Sequence, residues 1–201
     1  MSRPPVQTPQ VLKDLRSLKV MLIHPQDQDG DELHAQLQRI GCQVHMCWPD
    51  ADVVVDGTGL ILMAVRPETM SQRYAWLGKA SSPPIIPVVG YENPLTIEAV
   101  LQLQAFTTIP SPVRSSGLMM AIALTLSQHK ASRLRERYIE RLEQKSVKLR
   151  VIEQAKQILM RANGVTEDEA YQRLREQAMH NRESIEEVAG TIVKAGELMR
   201  F

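Results

Sequence analysis

Residues 152–193, IEQAKQILMRANGVTEDEAYQRLREQAMHNRESIEEVAGTIV, constrain this chain more than any other stretch. Apolar residues recur at Ile152, Ala155, Leu159 and Ala162, at Ala170, Leu174 and Ala178, and at Ile185, Val188, Ala189, Ile192 and Val193. Each set has the i, i+3, i+4 spacing of one helical face, so three short helices sharing a seam are expected. The breaks are as specific as the faces. Asn163-Gly164 supplies a left-handed stop for the first helix. Thr166 with Glu169, and Ser184 with Glu187, have capping-box spacing for the second and third. A module this small is expected to be convex, with no catalytic cleft, and to act by contact.

Composition narrows the classes. The chain has 201 residues, 43% of them hydrophobic, which suffices for one ordinary domain with an appendage. Aromatics are only 4%, few for a base-stacking platform. A net charge of +1 draws no polyanion globally, so nucleic-acid contact would need local clustering of cations. No apolar run has the length of a membrane span, and the start MSRPPVQTPQ lacks the apolar centre of a secretion signal. Cys42 and Cys47, without the partners of a zinc site, read as a reduced pair in the cytoplasm. His24, His34, His45, His129 and His180 are scattered, and Gly57-Thr58-Gly59 has no lysine and reads as a turn. No enzyme activity, cofactor or metal is expected.

From about Leu18 to Ile109, apolar strands alternate with helical patterns. Val20 to Ile23, Leu60 to Val65 and Ile85 to Val89 read as buried strands. Cys42, Val44 and Met46 alternate with Gln43 and His45, as on a strand with one wetter face. Leu33, Leu37 and Ile40 share a helix face that Gly41 ends. Asn93-Pro94 starts a helix over 95–103, and residues 106–109 close the series as a fifth strand. Such an order implies a parallel, doubly wound sheet. Pro87 cannot donate to a ladder, so its strand is expected to be bulged or one-sided there.

This region resembles a response-regulator receiver, a five-stranded flavodoxin-like α/β domain, without its chemistry. Where a receiver holds magnesium with an acidic pair, the chain has His24-Pro25; Ala64 replaces the phosphoacceptor aspartate. Val89 stands where the hydroxyl belongs, and Ser111, ahead of Pro112, replaces the lysine. Phosphoaspartate chemistry requires hard oxygen ligands and a carboxylate nucleophile. A pseudo-receiver without phosphoacceptor or metal is therefore expected over 18–116, after an extension over 1–17. Asp27, Asp29, Asp31 and Glu32 are better read as solvating a helix start and favouring its dipole than as a substitute acidic site.

After Pro112 there is no proline, and after Gly117 no glycine, before Gly164, so residues 117–149 read as one long helix running into the terminal module. Ala131, Leu134, Tyr138, Leu142, Lys145, Leu149, Ile152, Lys156 and Leu159 form a heptad-like seam with one stutter between Tyr138 and Leu142. Two lysines weaken it. It fits a short coiled coil making a homodimer, or else a linker packed on its own receiver. Lys130, Arg133, Arg135, Arg137, Arg141, Lys145, Lys148 and Arg150 face few acids. They either aid solubility or draw phosphate.

Ala155-Lys156, Leu159-Met160, Gly164, Glu169-Ala170, Leu174-Arg175, Ala178-Met179 and Val188-Ala189 are the features by which residues 150–201 resemble the ANTAR module of bacterial transcription antiterminators. The resemblance implies binding to hairpin loops of a leader mRNA, which keeps a terminator from forming. The candidate RNA contacts are Lys156, Gln157, Arg161, Arg173, Arg175 and Arg182. Lys156 and Gln157 border the seam, and Arg175 lies beside the core face of the second helix, where a rigid guanidinium suits bidentate contact. Arg175 can instead pair with Glu167, Glu169 or Glu176, and Tyr171 can stack on a base or cover the core. The segment Arg39-Ile40-Gly41-Cys42 through Cys47-Trp48-Pro49 resembles the amidase-operon branch of these regulators. That likeness implies a small-molecule-sensing negative regulator, similar to periplasmic binding proteins, as partner. The competing class is a DNA-binding response-regulator-like factor, but Glu186, Glu187 and Glu197 against Lys194 suit a DNA groove poorly.

Overall fold

The computed structural model describes residues 15–49, 51–79 and 81–198. The first expectation, an extension over 1–17, lies mostly outside them. The described residues form two compact units, one up to Ser132 and one from Arg133.

In the first unit, β1 (Lys19–Ile23), β2 (Gln43–Cys47), β3 (Thr58–Val65), β4 (Ile85–Val89) and β5 (Ile109–Pro110) form one sheet in the order β2-β1-β3-β4-β5. Every pairing is parallel. The period of two sends Val20, Leu22, Leu60, Leu62, Ile86 and Val88 to one face. Met21, Ile23, Ile61, Met63 and Ile85 go to the other. The first face is covered by Leu33 and Leu37 of α1 (Gln28–Ile40) and by Leu118 and Ile122. Gly41 ends α1 at φ 98°, and its N–H returns to the Leu37 and Gln38 carbonyls.

The second face departs from the expected alternation of strands with helices. Only the single turn α2 (Pro67–Met70) follows β3. Tyr74 and Trp76, on the irregular chain beyond it, cover this face instead, their rings 5.1 Å apart. The Trp76 Nε1–H donates to the Ala51 carbonyl at 2.6 Å. Two large aromatic surfaces thus do the work of a helix face.

Pro87 sits one-sided, as expected. The Ile61 N–H donates to Pro84 and the Ser111 N–H to Val89, so alternate residues of β4 address opposite neighbours. The side on which Pro87 lacks a donor is that of β5, whose pairing begins only at Val88. β5 is shorter than the expected strand over 106–109. The helix α3 (Pro94–Gln102) starts as expected, with the Asn93 side chain accepting from the Thr96 N–H at 2.9 Å.

A single 46-residue helix, α4 (Leu118–Asn163), runs on from the sheet unit into the second unit. No glycine or proline interrupts it. There it joins α5 (Glu167–Asn181) and α6 (Ile185–Leu198). Their core is Ala155, Leu174, Ala178, Val188 and Ala189, flanked by Val151, Ile152, Leu159, Ile185, Ile192 and Val193. Of the apolar face residues read from sequence within 152–193, Ala162 alone is exposed, and α4 ends one residue after it. Gly164 takes φ 63° and its N–H closes on the Met160 carbonyl. No helix of the described residues is long and apolar enough to cross a membrane.

Candidate nucleic-acid interface

Two places were singled out by sequence, and the first is the receiver crevice. A cavity of about 570 Å³ opens at the carboxyl ends of the strands, lined by His24, Ala64, Arg66, Thr96 and Ser111 among others. In open parallel sheets this edge is the usual ligand position. Here its charged groups are turned on one another. Asp27 caps α1 through the Gly30 N–H at 3.0 Å and meets Arg66 at 2.5 Å. Burial opposes the charge on Asp27, yet Gly30, Arg66 and His24 together hold its carboxyl below the ordinary value. Asp29 does more than solvate a helix start. It accepts from the Ser111 hydroxyl and, at 2.7 Å, from the Val113 N–H, tying α1 to the chain beyond β5. Among the described residues, no three His, Cys, Asp or Glu side chains are placed to share a metal ion. Both thiols, Cys42 and Cys47, are free, and burial pushes their pKa values up.

The second place is the bundle. Its loops are set by reciprocal caps. The Thr166 N–H donates to Glu169 at 2.9 Å while Thr166 Oγ1 accepts from the Glu169 N–H at 3.4 Å. Ser184 and Glu187 repeat this at 2.8 and 3.3 Å. Backbone N–H donation from Thr166 holds the Glu169 carboxyl below its ordinary value, and donation from Ser184 does the same for Glu187. Glu167 is lowered by its hydrogen bond from Lys156. A lowered pKa means that folding favours the charged carboxylate. This stabilisation is complete above the ordinary glutamate range and is lost as pH falls through the lowered values. The protection of α5 and α6 amides, taken relative to intrinsic exchange at each pH, is therefore expected to fall on acidification through that range. Glu169→Gln should be less protected than the parent near neutrality and change less with pH. Equal pH profiles for the two proteins would disprove the cap's part in it.

The six candidate contacts do not form one patch. Lys156 is buried and ion-paired within the bundle. It is 8% exposed, and its ammonium meets Glu153 at 2.5 Å and Glu167 at 2.6 Å. Its stem lies in the seam and its charge ties α4 to the first turn of α5. Gln157 and Arg161 are exposed, four apart on α4, and continue a stripe through Arg150 and Gln154 on the face away from Ala155. Arg173 and Arg175 are both exposed but two residues, hence 200°, apart, so they flank the Ala170, Leu174 and Ala178 face on opposite sides. Arg175 makes no ion pair with any described residue, contrary to the pairing considered with Glu167, Glu169 or Glu176. Arg182 ends α5 in the left-handed region at φ 58°, where its N–H reaches the Ala178 and Met179 carbonyls. Tyr171 is 40% exposed.

The bundle is also not purely convex. A groove of about 780 Å³ opens where α4, α5 and α6 meet, with Leu159, Val188 and Ile192 among its lining and Arg173, Gln177, His180, Asn181 and Thr191 around them. Gln177 and Asn181 were not singled out from sequence. Their four-residue spacing is legible there, but not that a groove lies beside it.

A receiver-like parallel sheet joined by a long helix to a capped three-helix bundle defines a two-part regulator rather than a lone binding module. Residues 18–126 match the family described as AmiR, N-terminal, and residues 140–193 match the ANTAR domain. The chain is 31% identical over 186 residues to the aliphatic amidase regulator of Pseudomonas aeruginosa, covering 89% of this chain and 92% of that protein. It belongs to the AmiR-type ANTAR family of antitermination regulators. Among solved structures, the response regulator StyR is similar at 15% identity and TM-score 0.50, over 89% of this chain and 99% of that one, a likeness of fold alone. Full-length FixJ from B. japonicum has 15% identity and TM-score 0.45, over 90% of this chain and 97% of that one.

Proposed function

We propose that the protein is a cytoplasmic, non-enzymatic antiterminator that binds hairpins of a leader mRNA as a homodimer and answers to a partner protein instead of phosphorylation. In this reading residues 18–116 are a pseudo-receiver, 117–149 a dimerising spacer and 150–201 the RNA-binding output. The observation that carries it is the ANTAR-matched bundle, whose Arg161, Arg173, Arg175 and Arg182 side chains are all exposed on a rigid, capped frame. Splayed loop bases and bent backbone suit such a surface without entry into a groove of duplex.

Control without phosphate is supported by Ala64 in the crevice wall and by the internal pairing of Asp27 and Asp29. A small-molecule-sensing negative regulator of the periplasmic-binding kind is the partner we infer. Tyr91, Leu95 and Leu101, exposed on and before α3, offer it an apolar surface.

Purified protein should prefer its own operon's leader hairpins over the same sequence as duplex DNA. Arg161→Ala and Arg175→Ala should each weaken hairpin binding across sequences and reduce the slope of log affinity against log salt by about 1. A preference for duplex DNA would overturn the RNA reading, and an unchanged salt slope would move the contact surface elsewhere.

A further inference from the structure

The groove of the bundle has a chemistry that phosphate contact does not account for. Among its described lining residues Glu176 and Glu183 stand beside one arginine, Arg173, so a phosphate entering there meets more negative than positive charge. Its floor is apolar, with Val188 at 3% exposure and Leu159 and Ile192 half-buried. Above that floor the Gln177 Nε2 donates to Asn181 Oδ1 at 3.3 Å. Turning both amides exchanges donor for acceptor across this bond without changing what is left over. In either orientation one amide carbonyl and one NH₂ group remain unpaired, an acceptor beside a donor.

An apolar floor under an adjacent donor and acceptor, closed to phosphate by two carboxylates, fits a neutral, flat heterocycle with hydrogen-bonding edges. We propose that this groove receives one unpaired purine extruded from the RNA loop, read by Gln177 and Asn181 and resting on Val188 and Ile192. The inference rests on the RNA reading above and adds the site of base selection to it. Side-chain amides pair in bidentate fashion with the donor and acceptor of adenine, and Arg173 at the wall offers the matching pair for a guanine edge. The exposed stripe of Gln157 and Arg161 then holds backbone, while the groove chooses sequence.

The test uses the full chain and a hairpin RNA pool with a randomised loop, followed by the selected hairpin with each loop base in turn replaced by an abasic site. The parent protein should lose tenfold or more in affinity at one purine position, on the order of one bidentate contact. Gln177→Leu combined with Asn181→Leu keeps the side-chain bulk of two exposed helical positions. It should bind intact and abasic hairpins equally while the helical circular dichroism signal is unchanged. Thr191→Trp, which fills the groove from α6, should abolish the same difference. If the double variant keeps the parent's penalty at the abasic position, or if the parent shows no such position, the base pocket is refuted while RNA binding stands. If the parent retains no hairpin at all, the RNA reading fails and the pocket with it.

Discussion

Replacing Tyr138 and Leu142 by lysine is expected to convert a dimer to a monomer and to lower affinity for a two-hairpin leader by about 100-fold, at the lower end of what a second tethered site contributes. Along α4, Leu134, Tyr138, Leu142 and Leu149 are 58%, 62%, 48% and 55% exposed. The same seam continues into Ile152 and Leu159, and there α5 and α6 cover it. One stripe of one helix is thus packed at its carboxyl end and bare above it. Bare apolar residues at heptad-like spacing are covered at least cost by a second copy of themselves, whose stripe has the identical period. Tyr138 and Leu142 bracket the stutter. Affinity for a single hairpin should be unchanged, because neither residue belongs to the bundle core. Sedimentation of the variant as a dimer, or a parallel loss on one hairpin, would refute this account of the spacer.

The second large effect is expected from Leu174→Ala. Leu174 is 0% exposed, between Ala155 of α4 and Val188 and Ala189 of α6 in the bundle core. Removing a fully buried leucine costs about 2–5 kcal/mol, the larger values where neighbours cannot collapse into the space. Three of the other four buried core residues, Ala155, Ala178 and Ala189, are alanines, whose methyl groups reach too little to fill the space. A unit this small holds a narrow margin of stability, so the loss should approach the whole of it. Hydrogen exchange should show α5 and α6 unprotected while β1, β3 and β4 keep their protection. RNA binding should disappear although every candidate contact residue is intact. Retained protection of α5 would mean that Leu174 is not the keystone of this core.

The contrast between those two predictions follows what could be read before folding. The positions of β1 to β4, of α1 and α3, the stop at Gly41, the Asn93 cap and both capping boxes depend on residues no more than a few positions apart, and each was legible from spacing. The departure from receiver residues at His24-Pro25 and Ala64 was equally plain. The cover of the sheet by Tyr74 and Trp76 was not. Their segment has no period, and only the loop's return to Ala51 makes Trp76 a core residue.

The candidate interface divides in the same way. The sequence by itself determined that three capped helices with arginines on them would close on a seam, because periodicity and caps act within one or two turns. Only the tertiary structure decided that Lys156, beside Glu153 on its own helix, also meets Glu167 of α5, and that Gln177 and Asn181 edge a groove. Those outcomes depend on where a second and third helix lie across the first, and no short-range signal carries the packing of residues distant along the chain.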